Sequence, residues 1–173
     1  GAYEPALAEV RDSTDGLLAL LGEENHQTIE TINATGVCSA ALGRLGAARV
    51  SFEQALRLGQ KLLGPDHPDT TTYMLNIGEV ALMAKDYVAA RPRIEAAIEA
   101  FQKNTTVVRA ETSDARTLLG YVDIGQNDTR AALKTFDIAA RDTFKMMSTV
   151  LPALSEKEQL MFLNGRFRKM YDA

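Results

Sequence analysis

Residues 62–100 read LLGPDHPDTTTYMLNIGEVALMAKDYVAARPRIEAAIEA, and this stretch contains one full unit of a repeat. Its first half carries apolar and small residues at helical spacing: Met74, Ile77, Gly78 and Ala81. Its second half carries another such stripe: Ala90, Ile94, Ala97 and Ile98. Residues spaced at three and four positions share one face of an α-helix. The stretch therefore predicts a hairpin of two helices.

The same pattern recurs outward from this unit at a spacing of 42 residues. Three columns share that period: Ala6, Ala48, Ala90 and Ala132; Gly36, Gly78 and Gly120; Val10, Phe52, Ile94 and Phe136. A fixed period of this length is the signature of a repeat architecture. The columns predict first helices near residues 28–43, 70–84 and 112–125, and second helices near 46–62, 87–103 and 129–148.

The predicted fold is all-α, a right-handed solenoid of antiparallel helical hairpins with a C-terminal capping helix. Residues 3–20 carry only the second-helix pattern, so we expect the chain to begin inside a repeat. The connector Gly64-Pro65-Asp66-His67-Pro68-Asp69-Thr70 separates two helices. We expect Gly64 to end one helix and Asp69 or Thr70 to cap the next.

The order Gly78, Ala90, Ile94, Ala97 resembles that of tetratricopeptide repeats, and the resemblance spans about residues 3–148. The 42-residue unit, LGPDHPDT at 63–70, Asn76 and Ala90-Arg91-Pro92 resemble the kinesin-light-chain-type subclass. The resemblance implies a protein–protein interaction or regulatory scaffold that binds a peptide or partner protein in a concave groove.

Residues 149–173, TVLPALSEKEQLMFLNGRFRKMYDA, depart from the 42-residue register. We therefore divide the chain into a repeat array at 1–148 and a C-terminal cap or linker at 149–173. Ser155 with Glu158 predicts a capping box and a helix from about 156 to 171. This segment resembles the one after the repeats in bacterial proteins with a caspase-like CHAT peptidase domain, which implies an alternative function as a regulatory arm of such a protease.

Charge and composition exclude several classes of function. The net charge is −4 and the isoelectric point about 5.2, which disfavours binding to nucleic acid or to an anionic membrane. Cys38 is the only cysteine, so there is no disulfide framework. No apolar run is long enough to cross a bilayer. We expect a cytoplasmic protein.

No catalytic motif stands out, and we predict neither enzyme activity nor a cofactor or metal site. His67 stands in a proline-flanked loop, where we expect its ring to bind backbone groups, and His26 occupies the matching loop. Cys38 lies among small residues of a predicted helix, and we expect it to be a buried packing residue.

In the tetratricopeptide register, the groove positions are those of the first helices that point away from the second helices. They are Glu30, Asn33 and Val37, then Thr72, Leu75 and Glu79, then Asp114, Thr117 and Tyr121. Asn76 is added because the kinesin-light-chain-like pattern has a backbone-binding asparagine there. The three acids favour a basic or neutral partner.

A second alternative is a self-association module. We expect apolar surface around Leu7, Val10 and Leu17 to be exposed, because no first helix is predicted before residue 3. Copies of the chain would then form a homodimer through exposed repeat ends.

Overall fold

The computed structural model describes residues 3–103, 110–155 and 158, and the regular structure in these residues is helical throughout. The helices are α1 (Tyr3–Leu21), α2 (His26–Ala41), α3 (Leu45–Leu62), α4 (Pro68–Met83), α5 (Tyr87–Lys103), α6 (Ala110–Gly125) and α7 (Thr129–Val150), followed by a single 3₁₀ turn (Leu151–Ala153). The prediction of an all-α fold is confirmed. The helix expected at about 156–171 lies outside the described residues.

The helices form three antiparallel hairpins, α2–α3, α4–α5 and α6–α7, with α1 packed against α2. Each second helix packs on its own first helix and, in α3 and α5, also on the first helix of the next hairpin. The core therefore crosses the boundaries between hairpins: the α5 residues Ala90, Ile94 and Ala97 are buried together with Ala115 and Val122 of α6. No hairpin could bury its apolar face alone.

The prediction of exposed apolar surface on α1 is wrong for Leu7. Leu7 is only 2% exposed, because α1 lies against α2 and buries this face. An ion pair between Glu4 and Arg44, 2.6 Å apart, further ties α1 to the turn between α2 and α3. Val10 and Leu17 are half-buried, and the large apolar side chains of α1 that are exposed are Tyr3, Leu20 and Leu21.

Each hairpin turn is closed in the same way, 42 residues apart. Gly43, Lys85 and Asn127 all have a positive φ, of 73°, 60° and 62°. The residue after each donates its N–H to a carbonyl five residues back, as in Arg44 to Ser39 at 2.9 Å. This left-handed residue with its backward hydrogen bonds is the Schellman helix ending. The repeat is thus visible in the backbone as well as in the side chains.

The glycine column marks where a helix meets a large side chain of its hairpin partner. A Cβ atom on Gly36 would lie 2.5 Å from the ring of Phe52, and one on Gly120 would lie 2.5 Å from the ring of Phe136. At Gly78 the neighbour is Ile94, at 2.8 Å. A Cβ atom cannot lie this close to another heavy atom, so glycine at these positions allows the two helices to approach closely.

The expected cap of α4 is also wrong. His67 is the N-cap: its Nδ1 accepts a hydrogen bond from the Asp69 N–H at 3.2 Å, and Pro68 occupies the first helical position. Proline is favoured there because its fixed φ suits the helix and its missing N–H would have had no partner. His67 therefore binds the backbone and fixes the turn, as the sequence predicted. In α2 the equivalent cap is Asn25.

A buried carboxylate joins the last three helices. Asp123 of α6 is 2% exposed and lies 2.5 Å from Nη2 of Arg91 in α5. Its other oxygen accepts a hydrogen bond from the Thr135 hydroxyl of α7 at 2.9 Å. The bond to Asp123 raises the pKa of the Arg91 guanidinium. One side chain thus connects both neighbours of α6.

One of the two reciprocal hydrogen bonds of the predicted capping box is present, the one from the Ser155 N–H to the Glu158 side chain. The Glu158 carboxylate accepts hydrogen bonds from the N–H and the hydroxyl of Ser155, at 2.8 and 2.6 Å. These bonds lower the pKa of Glu158.

No helix in the described ranges is long and apolar enough to cross a membrane.

Candidate functional site

The first helices α2 and α4 lie side by side, and three polar contacts join their facing sides. The contacts are His26 with Asp69, Glu30 with Tyr73, and Asn33 with Asn76. Each pair is separated by 43 residues, and the first members of the pairs are spaced at four and three positions along α2. The contacts therefore follow one stripe of each helix.

The middle of this stripe holds a pair of amides. The NH₂ group of Asn76 donates to the carbonyl of Asn33 at 2.8 Å, and both side chains are half-buried. An amide has two donor hydrogens and two acceptor lone pairs. After this bond, the NH₂ group of Asn33 and the carbonyl of Asn76 retain the capacity to donate and accept. The pair thus presents the two kinds of group that complement a peptide bond.

Beside the amides, Glu30 is held by Tyr73, whose hydroxyl donates to its carboxylate. Burial of the phenol, together with this hydrogen bond, raises the pKa of Tyr73. Tyr73 therefore stays protonated and remains a donor at neutral pH. This residue was not among the predicted site residues, because the 42-residue period aligns Glu30 with Thr72, whereas the contact joins Glu30 to Tyr73.

The predicted groove residues differ in how far they face solvent. Those nearest the C-terminal ends of the first helices are all exposed: Val37, Glu79 and Tyr121, with Val37 and Tyr121 at 48% each. The Tyr121 ring also contacts Phe136 of α7 edge to face, with centroids 5.4 Å apart. Near the N-terminal ends, Glu30 is exposed, whereas Thr72 and Asp114 are half-buried.

Three of the predicted residues offer less binding surface than their type suggests. The hydroxyls of Thr72 and Thr117 donate to carbonyls of their own helices, those of Pro68 and Ser113, each at 3.0 Å. Leu75 is 8% exposed and belongs to the buried core that α4 shares with α5 and α6, so it offers little surface for binding. Asn33 and Asn76 are the predicted groove residues that keep both a donor and an acceptor beside the bond that joins them.

The sequence offered three residues as candidates for catalysis or metal binding: His67, Cys38 and His26. His67 caps α4, and Cys38 is half-buried rather than fully buried. His26 is exposed, with its Nε2 2.9 Å from the Asp69 carboxylate. The sequence indicated neither this contact nor the role of Asp69, because the two residues belong to different repeats.

The stacked hairpins, with their first helices on one side, identify the class of protein: this is a helical-hairpin repeat protein. Residues 27–103 match the tetratricopeptide repeat family model, and the prediction of tetratricopeptide repeats is confirmed for these residues. This fold generally serves as a scaffold for protein–protein interaction and is typically non-catalytic.

Solved structures of kinesin-light-chain-like repeat proteins share the fold. BtubC (BKLC) from P. vanneervenii matches with a TM-score of 0.76 and 20% identity, over 84% of this chain and 58% of that chain. Repeats assigned to a putative kinesin light chain of Podosopora anserina match with a TM-score of 0.66 and 13% identity, over 87% of this chain and 70% of that chain. A variant form of the same repeats gives 0.69 and 13%, over 86% and 70%.

This chain thus spans 58% of the length of the BtubC chain. At these identities the likeness concerns the fold. No curated protein matches the chain in sequence.

Proposed function

We propose that this chain is a protein-interaction module that binds an extended segment of a partner protein along the first helices α2, α4 and α6. The observation that supports the proposal is the amide pair Asn33–Asn76, with its remaining donor and acceptor. An extended peptide exposes one N–H and one C=O per residue, and an amide pair can bind both whatever the side chain.

The charge near the pair favours particular partners. Glu30, Glu79 and Asp114 carry carboxylates along the groove, and the chain as a whole has a net charge of −4. Complementary charge raises association rates and excludes like-charged competitors. The preferred segment is therefore basic or neutral, with apolar side chains that contact Val37 and Tyr121.

Peptides selected from a random display library on the immobilised chain test this proposal. Fluorescence anisotropy of a selected peptide should show that Asn33→Ala combined with Asn76→Ala weakens binding by about ten-fold or more, since two hydrogen bonds of ~1 kcal/mol each are lost. Gln60→Ala is the matched control, because Gln60 is an exposed amide on the second helix α3. This control should bind like the unchanged chain.

N-methylation of the peptide backbone, one residue at a time, makes the test specific. Methylation at the position that donates to the amide pair should weaken binding to the unchanged chain and have little further effect on the double variant. Equal binding by the double variant and the unchanged chain would refute the proposal. Circular dichroism melting checks that both proteins are folded.

The two alternative functions remain predictions. Self-association no longer draws support from Leu7, which is buried, and its test is the molecular mass in solution as a function of concentration. The regulatory arm of a caspase-like protease rests on residues 149–173, most of which lie outside the described residues. The sequence of the parent gene downstream of Ala173 tests it.

A further inference from the structure

The facing sides of α2 and α4 also bring together three groups of metal-binding type. A ring nitrogen of His26 and carboxylate oxygens of Glu30 and Asp69 all lie within 4.8 Å of one another. His26 and Glu30 are four residues apart and so share one face of α2, whereas Asp69 comes from the first turn of α4. The cluster thus spans two repeats.

We propose that His26, Glu30 and Asp69 bind a zinc ion. Imidazole nitrogen and carboxylate oxygen are ligands of Zn²⁺ at about 2.0–2.2 Å, which places neighbouring ligand atoms of a tetrahedral site roughly 3.4 Å apart. Nε2 of His26 is already 2.9 Å from Oδ2 of Asp69. All three side chains are at least partly exposed, so small rotations suffice to reach this geometry. Water completes the coordination as the fourth ligand.

The charge of the cluster and the hydrogen bond that holds Glu30 both favour binding of a divalent cation. Two carboxylates bring two negative charges, and a neutral imidazole adds a third ligand without opposing them. The partial positive charges at the N-termini of α2 and α4 work against a cation, but they are smaller than the two full charges. Tyr73 donates to Glu30 and holds that carboxylate, as outer partners of metal ligands do.

The second histidine of the chain does not join the set. Nδ1 of His67 accepts the hydrogen bond from the Asp69 N–H that caps α4, and it lies 3.6 Å from the Asp69 carboxylate. Since the sequence contains two histidines, His67 supplies a control. His67→Asn removes this imidazole while keeping a good cap, because asparagine is the cap of α2.

Isothermal titration of the metal-free chain with zinc chloride tests the proposal. The titration is done with Cys38→Ser throughout, so that the partly exposed thiol does not contribute. We expect one zinc ion per chain and the same affinity in His67→Asn. His26→Ala and Asp69→Asn should each weaken binding by about a hundred-fold, and Tyr73→Phe by about ten-fold, since it removes only an outer partner.

Thermal unfolding gives a second measurement on the same variants. Zinc should raise the melting temperature of the chain and of His67→Asn, and should leave that of His26→Ala unchanged. Equal zinc affinity in His26→Ala and the Cys38→Ser chain would overturn the proposal, as would a heat signal at the level of buffer in the chain with all three ligands present. Peptide binding by the amide pair is measured separately, so either proposal can fail alone.

Discussion

At the scale of single residues, the glycine column shows what a repeat sequence specifies. Gly36 recurs 42 residues later as Gly78 and again as Gly120, and all three face a bulky side chain of the paired helix at a distance that excludes a Cβ atom. The sequence indicated the column, because packing constraints repeat with the unit. Residues that do not recur with the 42-residue period carry no such signal, and the contacts of these residues were not predicted from the sequence.

The first prediction concerns this packing. Gly36→Ala should destabilise the protein by about 1–2 kcal/mol, because an overpacked buried ring costs more than the helix gains from alanine. The Phe52 ring is 2% exposed and has little room to move. Chemical denaturation measures the change in the free energy of unfolding.

Gly16→Ala is the control for Gly36→Ala. Gly16 lies within α1, and a Cβ atom added there would meet no other atom within 4 Å. Alanine should therefore stabilise the protein, by about 0.5–1 kcal/mol. A Gly36→Ala protein as stable as Gly16→Ala would contradict the packing role of the glycine column.

At the scale of helices, the sequence predicted the elements closely and their contacts poorly. The hairpin helices α2 to α7 all begin within two residues of the predicted positions, and α5 has the predicted bounds. The contacts between first helices join residues 43 apart, one more than the repeat period. The period alone therefore aligned Asn33 with Leu75, whereas Asn33 binds Asn76.

The second prediction tests how helices are joined across the repeat boundary. Asp123→Ala should destabilise the protein by about 2 kcal/mol, less than the usual cost of breaking a fully buried pair, because the Arg91 side chain is 31% exposed and water can solvate it. Removal of the carboxylate also leaves the Thr135 hydroxyl without this acceptor. Urea denaturation measures the loss.

Glu53→Ala provides the control for Asp123→Ala. The pair Arg49–Glu53 occupies the same register positions in α3 as Arg91–Glu95 does in α5, and it is exposed. Exposed pairs contribute little, so we expect a change of less than about 0.5 kcal/mol. A similar decrease in the free energy of unfolding in the two variants would show that burial of Asp123 does not contribute to stability.

At the scale of the whole molecule, the stack places the two proposed sites on one surface. The amide pair Asn33–Asn76 and the cluster at His26 belong to the same stripe between α2 and α4, and Glu30 lies between them. Both sites form only when two repeats pack, since each draws residues from both. Occupation of the metal site would take the Glu30 carboxylate and lower the negative charge that a basic peptide meets.

Nuclear magnetic resonance of the ¹⁵N-labelled chain, titrated with a selected peptide, observes the proposed binding surface residue by residue. If the first helices bind the peptide backbone, the side-chain NH₂ signals of Asn33 and Asn76 should shift first, together with backbone amides of α2, α4 and α6. Shifts confined to the second helices α3, α5 and α7, with the two asparagine signals unmoved at saturation, would contradict peptide binding along the first helices.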